Sequence, residues 1–327
     1  MLGAGERQSG RAGQVASSPA HPLARSPALP LLVAGLIVIP LAALPALTSR
    51  PDLLNLLLLV LLYATLGQSW NILAGFAGQI NLGHAAFFGI GSQVTRTLWL
   101  EGYPFPLALL VGGLAAVAFA LLIGLPTFRL RGVYFSLGTL ALAEALRITV
   151  SNSLPKLTTL TTEEIATYDL GARYELALAL AVLTTLVAWL LLRSRLGLGL
   201  LAVREDEEAA QATGVNALKH KLLALGLSSL LAGLAGGLFA FQQVSYYPEN
   251  PFGPNWTFDS LLITFIGGVG TLIGPLIGAL FFILVREQLA LALPKVHQVI
   301  FGALFILVVL ALPGGLVDLW ARLRRRK

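Results

Sequence analysis

The stretch "GQINLGHAAFFGIG", Gly78–Gly91, places Gln79, Asn81 and His84 on a glycine-rich apolar segment at the end of a long, almost uncharged run. In water such a segment would be a turn leading into a core helix. In lipid, three polar side chains are costly unless they face protein or water. The fold therefore turns on which solvent surrounds the chain.

Composition points to the bilayer. Hydrophobic residues make up 56% of the 327 residues and charged residues only 12%, with a mean hydropathy of +0.81. Soluble domains usually carry about 25% charged residues, and half that number would hardly cover a soluble surface. Length alone would allow two or three soluble domains, but no charged linker divides the chain. Cysteine is absent, which excludes disulfides, thiol catalysis and thiolate metal sites. The four histidines, His21, His84, His220 and His297, are scattered without metal-ligand spacing. No metal site, cofactor or catalytic group is expected.

Residues 1–29 are polar and read as a disordered cytoplasmic tail. The apolar run at 30–48 follows so long a tail that a retained span is expected rather than a cleaved signal. A crossing helix takes roughly 20 apolar residues. Segments of that kind lie at 30–48, 53–74, 104–126, 133–151, 174–192, 222–245 and 297–313, with less regular ones at 79–97, 257–270 and 272–290. The expected fold is an all-α polytopic bundle with eight to ten membrane segments, some broken or re-entrant, over residues 30–316. Basic residues set its orientation. Arg129 and Arg131, the 193–221 connector and the ending "ARLRRRK" go to the cytoplasm with both termini, residues 317–327 forming a basic tail. The acidic stretch 152–173 then faces outside.

Small residues characterise the bundle. Gly233 and Gly237 stand four apart in "AGLAGGLFA", and "GGVGTLIGPLIGA" spaces Gly270, Gly274 and Gly278 for one helical face, after a possible hinge at Gly267–Gly268. Such spacing lets helices approach closely where hydrophobic exclusion no longer drives association. Pure packing accounts equally well for the first motif. Pro275 and the double glycine make motion the better reading of the second.

No GxxxxGK[ST] stretch occurs, so the chain supplies no phosphate-cradling loop of its own. Glu144, the conspicuous membrane carboxylate, has Arg147 three residues on, on the same helical face. A proton relay is the sharper interpretation and a neutralising internal pair near the outer end the preferred one. Within 193–221, acids at 205–208 run into "EEAAQAT" and stop at Gly214. Acids suit a helix N-terminus and glycine its C-terminus. A short helix held between two spans is suited to docking a cytoplasmic partner.

"E-A-A-x-x-x-G", at Glu208, Ala209, Ala210 and Gly214, resembles the coupling-loop signature of permease subunits in bacterial ABC importers. Together with "GQINLGHAAFFGIG", "RLRGVYFSLGTLALAEALRI" and "FIGGVGTLIGPLIGA", it is similar to the branched-chain amino acid permease family, in its LivM-like branch, from about residue 53 to 316. The resemblance implies a bacterial inner-membrane subunit paired with a second homologous permease. Two ABC ATPases and an extracytoplasmic amino-acid-binding protein would complete the importer, with no nucleic acid involved. It also implies an ATPase-coupling loop with Arg204, Glu208, Ala209, Ala210 and Gly214, Ala209 and Ala210 lying on the docking face. Gln79, Asn81 and His84 then become candidates for the translocation path, or for interhelical ties. The segment "SNSLPKLTTLTTEEIATYDLGARYE" departs from the family's usual glycine-rich element, which leaves the substrate open among branched-chain and other neutral amino acids or urea. An ion-driven secondary transporter and a non-transporting scaffold are the readings from other classes.

Overall fold

A computed structural model describes residues 28–48, 50–154, 157–160, 162–166, 168–292, 300, 302–303, 306, 310 and 314–325. The expected tail 1–29 and span 297–313 fall almost wholly outside these residues. The helices are α1 (Ala28–Leu47), α2 (Pro51–Asn71), α3 (His84–Leu100), α4 (Phe105–Thr127), α5 (Val133–Ser153), α6 (Thr162–Ala166), α7 (Leu170–Arg193), α8 (Arg195–Glu205), α9 (Glu207–Ala212), α10 (Ala217–Gln242), α11 (Pro254–Gly267), α12 (Gly274–Ala292) and α13 (Gly315–Arg325). A two-residue antiparallel pairing, Thr158 with Tyr246 and Thr159 with Ser245, is the sheet structure among the described residues. The protein is an all-α polytopic membrane protein. Among the described residues, six helices are long and apolar enough to cross a bilayer: α2 with its π-helical extension to Phe76, α4, α5, α7, α10 and α12. α3 and α11 are shorter and pack among them.

α2 is the axis. Pro51 at its start costs no helical hydrogen bond, and Asp52 sits in the first turn, where the dipole favours an acid. Leu62, Leu66 and Ile72 are wholly buried, in a core shared with α7 and α10. A second core joins Val60, Tyr63 and Ala64 to Ile263 and Ile266 of α11 and to Ala279 and Phe282 of α12. Polar and apolar residues alike are buried along α2, which fits a helix surrounded by protein instead of lipid.

Glycines set the close contacts. A Cβ at Gly233 would stand 2.7 Å from the Ala116 methyl and 3.2 Å from the Gly113 Cα, and one at Gly237 would strike Leu109 and Thr95. A Cβ on Gly278 would strike the Ile263 carbonyl, and one on Gly267 the Gly274 carbonyl. α11 and α12 thus touch backbone to backbone. One expectation is corrected: Gly270 shares no helical face with Gly274 and Gly278. It lies in the turn between α11 and α12 with φ +76°, and α12 starts only at Gly274.

The two ends of the bundle differ. One carries Arg129, Arg131 and the α8–α9 connector and is called the basic end. At the other, Arg96 donates to the Ala240, Gln243, Thr158 and Val244 carbonyls at 3.0–3.5 Å, and Arg173 donates to that of Phe241. Two guanidiniums therefore cap the C-terminal end of α10, where unpaired carbonyls collect negative charge.

Candidate functional site

The opening stretch breaks the helical path. α2 ends in a wide π-helical turn at Ile72–Phe76, and α3 begins only at His84, so the expected span 79–97 starts five residues late. Backbone groups at membrane depth must be satisfied by protein, and in this break six are bonded as follows. The Gln79 N–H donates to the Leu73 carbonyl at 3.1 Å. The Ile80 carbonyl accepts from Ser136 Oγ at 2.7 Å and the Asn81 carbonyl from Trp70 Nε1 at 2.9 Å. Leu82 N–H donates to Thr139 Oγ1 at 3.2 Å, Gly83 N–H to Asn81 Oδ1 at 2.7 Å and Ala85 N–H to Thr257 Oγ1 at 2.8 Å. Three helices, α2, α5 and α11, close around one irregular segment.

Of the three candidate path residues, Asn81 and His84 are brought together and Gln79 is not. Asn81 and His84 are fully buried. Gln79 is partly exposed, its amide donating to the Ala77 carbonyl at 3.3 Å. Ser69 Oγ donates to the Leu66 carbonyl at 2.7 Å and lies 2.8 Å from His84 Nε2. Its proton being committed, the hydroxyl accepts from a protonated Nε2, which leaves Nδ1 as a bare acceptor. Neither His84 Nδ1 nor Asn81 Nδ2 has a partner among the described residues. Ser228 Oγ donates to the Ser69 carbonyl at 2.7 Å and ties in α10. Losing one partner of a buried hydrogen bond costs about 1–3 kcal/mol. Asn81→Leu combined with His84→Phe should therefore preserve membrane insertion but cut uptake about tenfold or more, whereas Gln79→Leu should change it little. Blotting of membranes beside uptake assays checks both, and wild-type uptake by the double variant would remove the two residues from transport.

A second node joins the connector to the bundle. Arg204, at the end of α8, donates Nη1 to the Gly75 carbonyl at 2.6 Å, and its guanidinium abuts Gly270. Asn71 accepts from Gly270 N–H at 2.8 Å and donates to the Thr271 carbonyl at 2.9 Å. A Cβ at Gly75 would collide with the Asn71 amide and lie 2.7 Å from Gly270 N. The π-turn, the α11–α12 turn and α8 thus meet at one point. From there, Asp206 caps α9 by accepting from Glu208 N–H at 2.9 Å and Ala209 N–H at 3.0 Å. Gly214 closes it with φ +90°, a conformation other residues adopt at a cost.

This connector holds more structure than the sequence suggests, because the eleven-residue α8 precedes the expected short helix. Lys221 Nζ donates to Glu207 Oε2 at 2.5 Å. Arg131 and Glu208 pair at 3.4 Å but are 82% and 83% exposed, so the bond contributes little. Ala210 departs from expectation. It is buried against Val203 and Ala217, because the inner side of α9 supplies its apolar support, whereas Glu208, Ala209, Gln211 and Ala212 stay exposed.

Glu144 and Arg147 form the expected pair, with Arg147 Nε donating to Glu144 Oε2 at 2.9 Å and Nη2 to Oε1 at 2.5 Å. They are not internal: the two side chains are 41% and 33% exposed, and Glu144 lies at the middle of α5. An ionised group at the centre of a crossing helix costs about 2.5–3.5 kcal/mol on insertion scales, so the pair is poorly suited to face lipid. The sequence also hid a second membrane carboxylate. Asp259 Oδ2 accepts from Tyr63 OH and Arg286 Nη1, both at 3.3 Å. Its partners are far away in sequence, whereas Glu144 and Arg147 announce themselves by spacing. Ser69, Asn71 and Thr139 were missed for the same reason, since their partners His84, Gly270 and Leu82 are not within one helical turn. Two surface grooves, of about 310 and 200 Å³, lie beside the first turns of α10, and neither is lined by Gln79, Asn81 or His84.

A family of branched-chain amino acid transport system permease components matches residues 52–309. The high-affinity branched-chain amino acid transport system permease protein LivM of Escherichia coli (strain K12) is 30% identical over 88% of this chain and 75% of its own length. The probable branched-chain amino acid transport permease protein LivM of Methanocaldococcus jannaschii is 24% identical, over 81% and 93%. An autoinducer 2 import system permease protein, LsrC of an Enterobacter species, is 30% identical over 69% of this chain and 68% of its own. No solved structure matches the chain. The chain belongs to the branched-chain amino acid transport permease family and is a permease subunit of the ABC type.

Proposed function

We propose that this ABC-type permease subunit imports branched-chain or other neutral, hydrophobic amino acids across a bacterial inner membrane. It works beside a second homologous permease, two ATPases and an extracytoplasmic amino-acid-binding protein. The family match over most of the chain carries the reading, and the capped α9 held between α7 and α10 supports it. In this reading the basic end is cytoplasmic and residues 204–216 meet an ATPase. Closure of the ATPase pair shifts α9. Arg204 passes the shift to the π-turn of α2 and to the α11–α12 turn, both of which break the regular helix pattern and can change shape. Single cysteines at 165, 207 and 325 should label with an impermeant thiol reagent in intact cells only at 165. External labelling at 207 would overturn this orientation.

A second reading takes autoinducer 2 as cargo, favoured by the likeness to an autoinducer 2 import system permease protein. Competition decides between them. The reconstituted importer should take up labelled leucine, and unlabelled isoleucine and valine should block that uptake while autoinducer 2 and urea do not. The reverse pattern would replace the amino-acid assignment.

A further inference from the structure

α5 is the least covered of the six crossing helices, with 22% of its apolar window buried against 78% for α2. Along it, Ser136, Glu144, Arg147 and Ser151 fall within an arc of about 80°, at about 100° per residue. This polar stripe borders the buried positions Phe135, Thr139 and Ala143. Its ends are anchored, Ser136 Oγ to the Ile80 carbonyl and Ser151 Oγ to Glu249 Oε2, each at 2.7 Å. Between the anchors, the hydrogen bonds of Glu144 and Arg147 among the described residues are to each other.

We propose that this stripe is one wall of the water-filled path, and that Glu144 and Arg147 receive the α-ammonium and α-carboxylate of an amino acid crossing it. The inference rests on the amino-acid reading above. Two opposite charges, half exposed at mid-helix, are poorly suited to lipid, whereas a zwitterion presents the same two charges in complementary order. Opening the pair exchanges two charge-assisted bonds for two of the same kind. Contact made by such exchange is transient, as a path requires, because a site that held its solute tightly would stop the flow. A solute without charged groups would gain nothing by opening the pair.

The test measures binding of labelled leucine to the permease–ATPase complex in nanodiscs, without the binding protein, with leucinamide and 4-methylpentanoate as competitors. The wild type should prefer leucine to both by about tenfold or more. Arg147→Gln should lose the preference over leucinamide, and Glu144→Gln the preference over 4-methylpentanoate. If either variant assembles poorly, the exchange of Glu144→Arg with Arg147→Glu keeps both charges and should restore assembly and part of the discrimination. Wild-type discrimination in both single variants overturns the proposal. So does absence of leucine binding in a complex that still performs ATP-driven leucine uptake, which would point to a stripe packed dry against the second permease. Absence of leucine uptake altogether would instead overturn the amino-acid reading.

Discussion

Gly278→Leu is expected to remove most of the folded protein from the membrane. The Gly278 Cα lies against the Ile263 carbonyl, and a Cβ there would also stand 3.1 Å from Gly267 N. The obstacles are backbone atoms of α11, which cannot rotate aside as a side chain would. Overpacking a well-filled core costs about 1–3 kcal/mol, and a leucine against rigid backbone belongs at or beyond the upper end. α11 is in turn fixed to α2, through Thr264 Oγ1 donating to the Gly67 carbonyl at 3.0 Å, so relief by sliding would break a second contact. Membrane blots and size-exclusion profiles should show the variant depleted or aggregated. A wild-type amount of monodisperse protein would mean that α11 and α12 do not pack this closely.

Arg204→Ala should have the largest effect on transport without loss of the protein. Hydrogen bonds from a charged donor contribute about 1.5–3 kcal/mol, and this one joins α8 to the Gly75 carbonyl at the end of α2. Without it the connector keeps its Asp206 cap and its Ala210 packing, so ATPase docking should survive. What is lost is the tie between connector and bundle. ATPase co-purification and basal hydrolysis should remain, while uptake falls at least tenfold, the factor that about 1.4 kcal/mol represents. Uptake and hydrolysis reduced in equal measure would locate Arg204 in the docking surface instead.

The helical class and most crossing segments were legible because apolar runs of bilayer length leave no soluble alternative. The α10 glycines and the Glu144–Arg147 spacing were legible for a related reason, since partners within one helix turn are visible along the chain. The break at Gly78–Gly83 was visible only as polarity. That it is an extended segment stitched to α2, α5 and α11 depends on Trp70, Ser136, Thr139 and Thr257, whose partners lie far away along the chain. Gly270 was misplaced because a helical repeat of glycines reads the same through a turn as through a helix. Ala210 was misplaced because a six-residue helix shows no periodicity long enough to reveal its inner side.

The central claim is that this subunit moves its solute only when a partner ATPase drives it. Its most direct test is uptake of labelled leucine into proteoliposomes that hold the full complex and binding protein, with ATP supplied and all ion gradients collapsed by ionophores. The account predicts uptake that depends on ATP, disappears when the ATPase subunits are omitted, and is unchanged by the ionophores. Uptake driven by a proton or sodium gradient in the absence of ATP would contradict it.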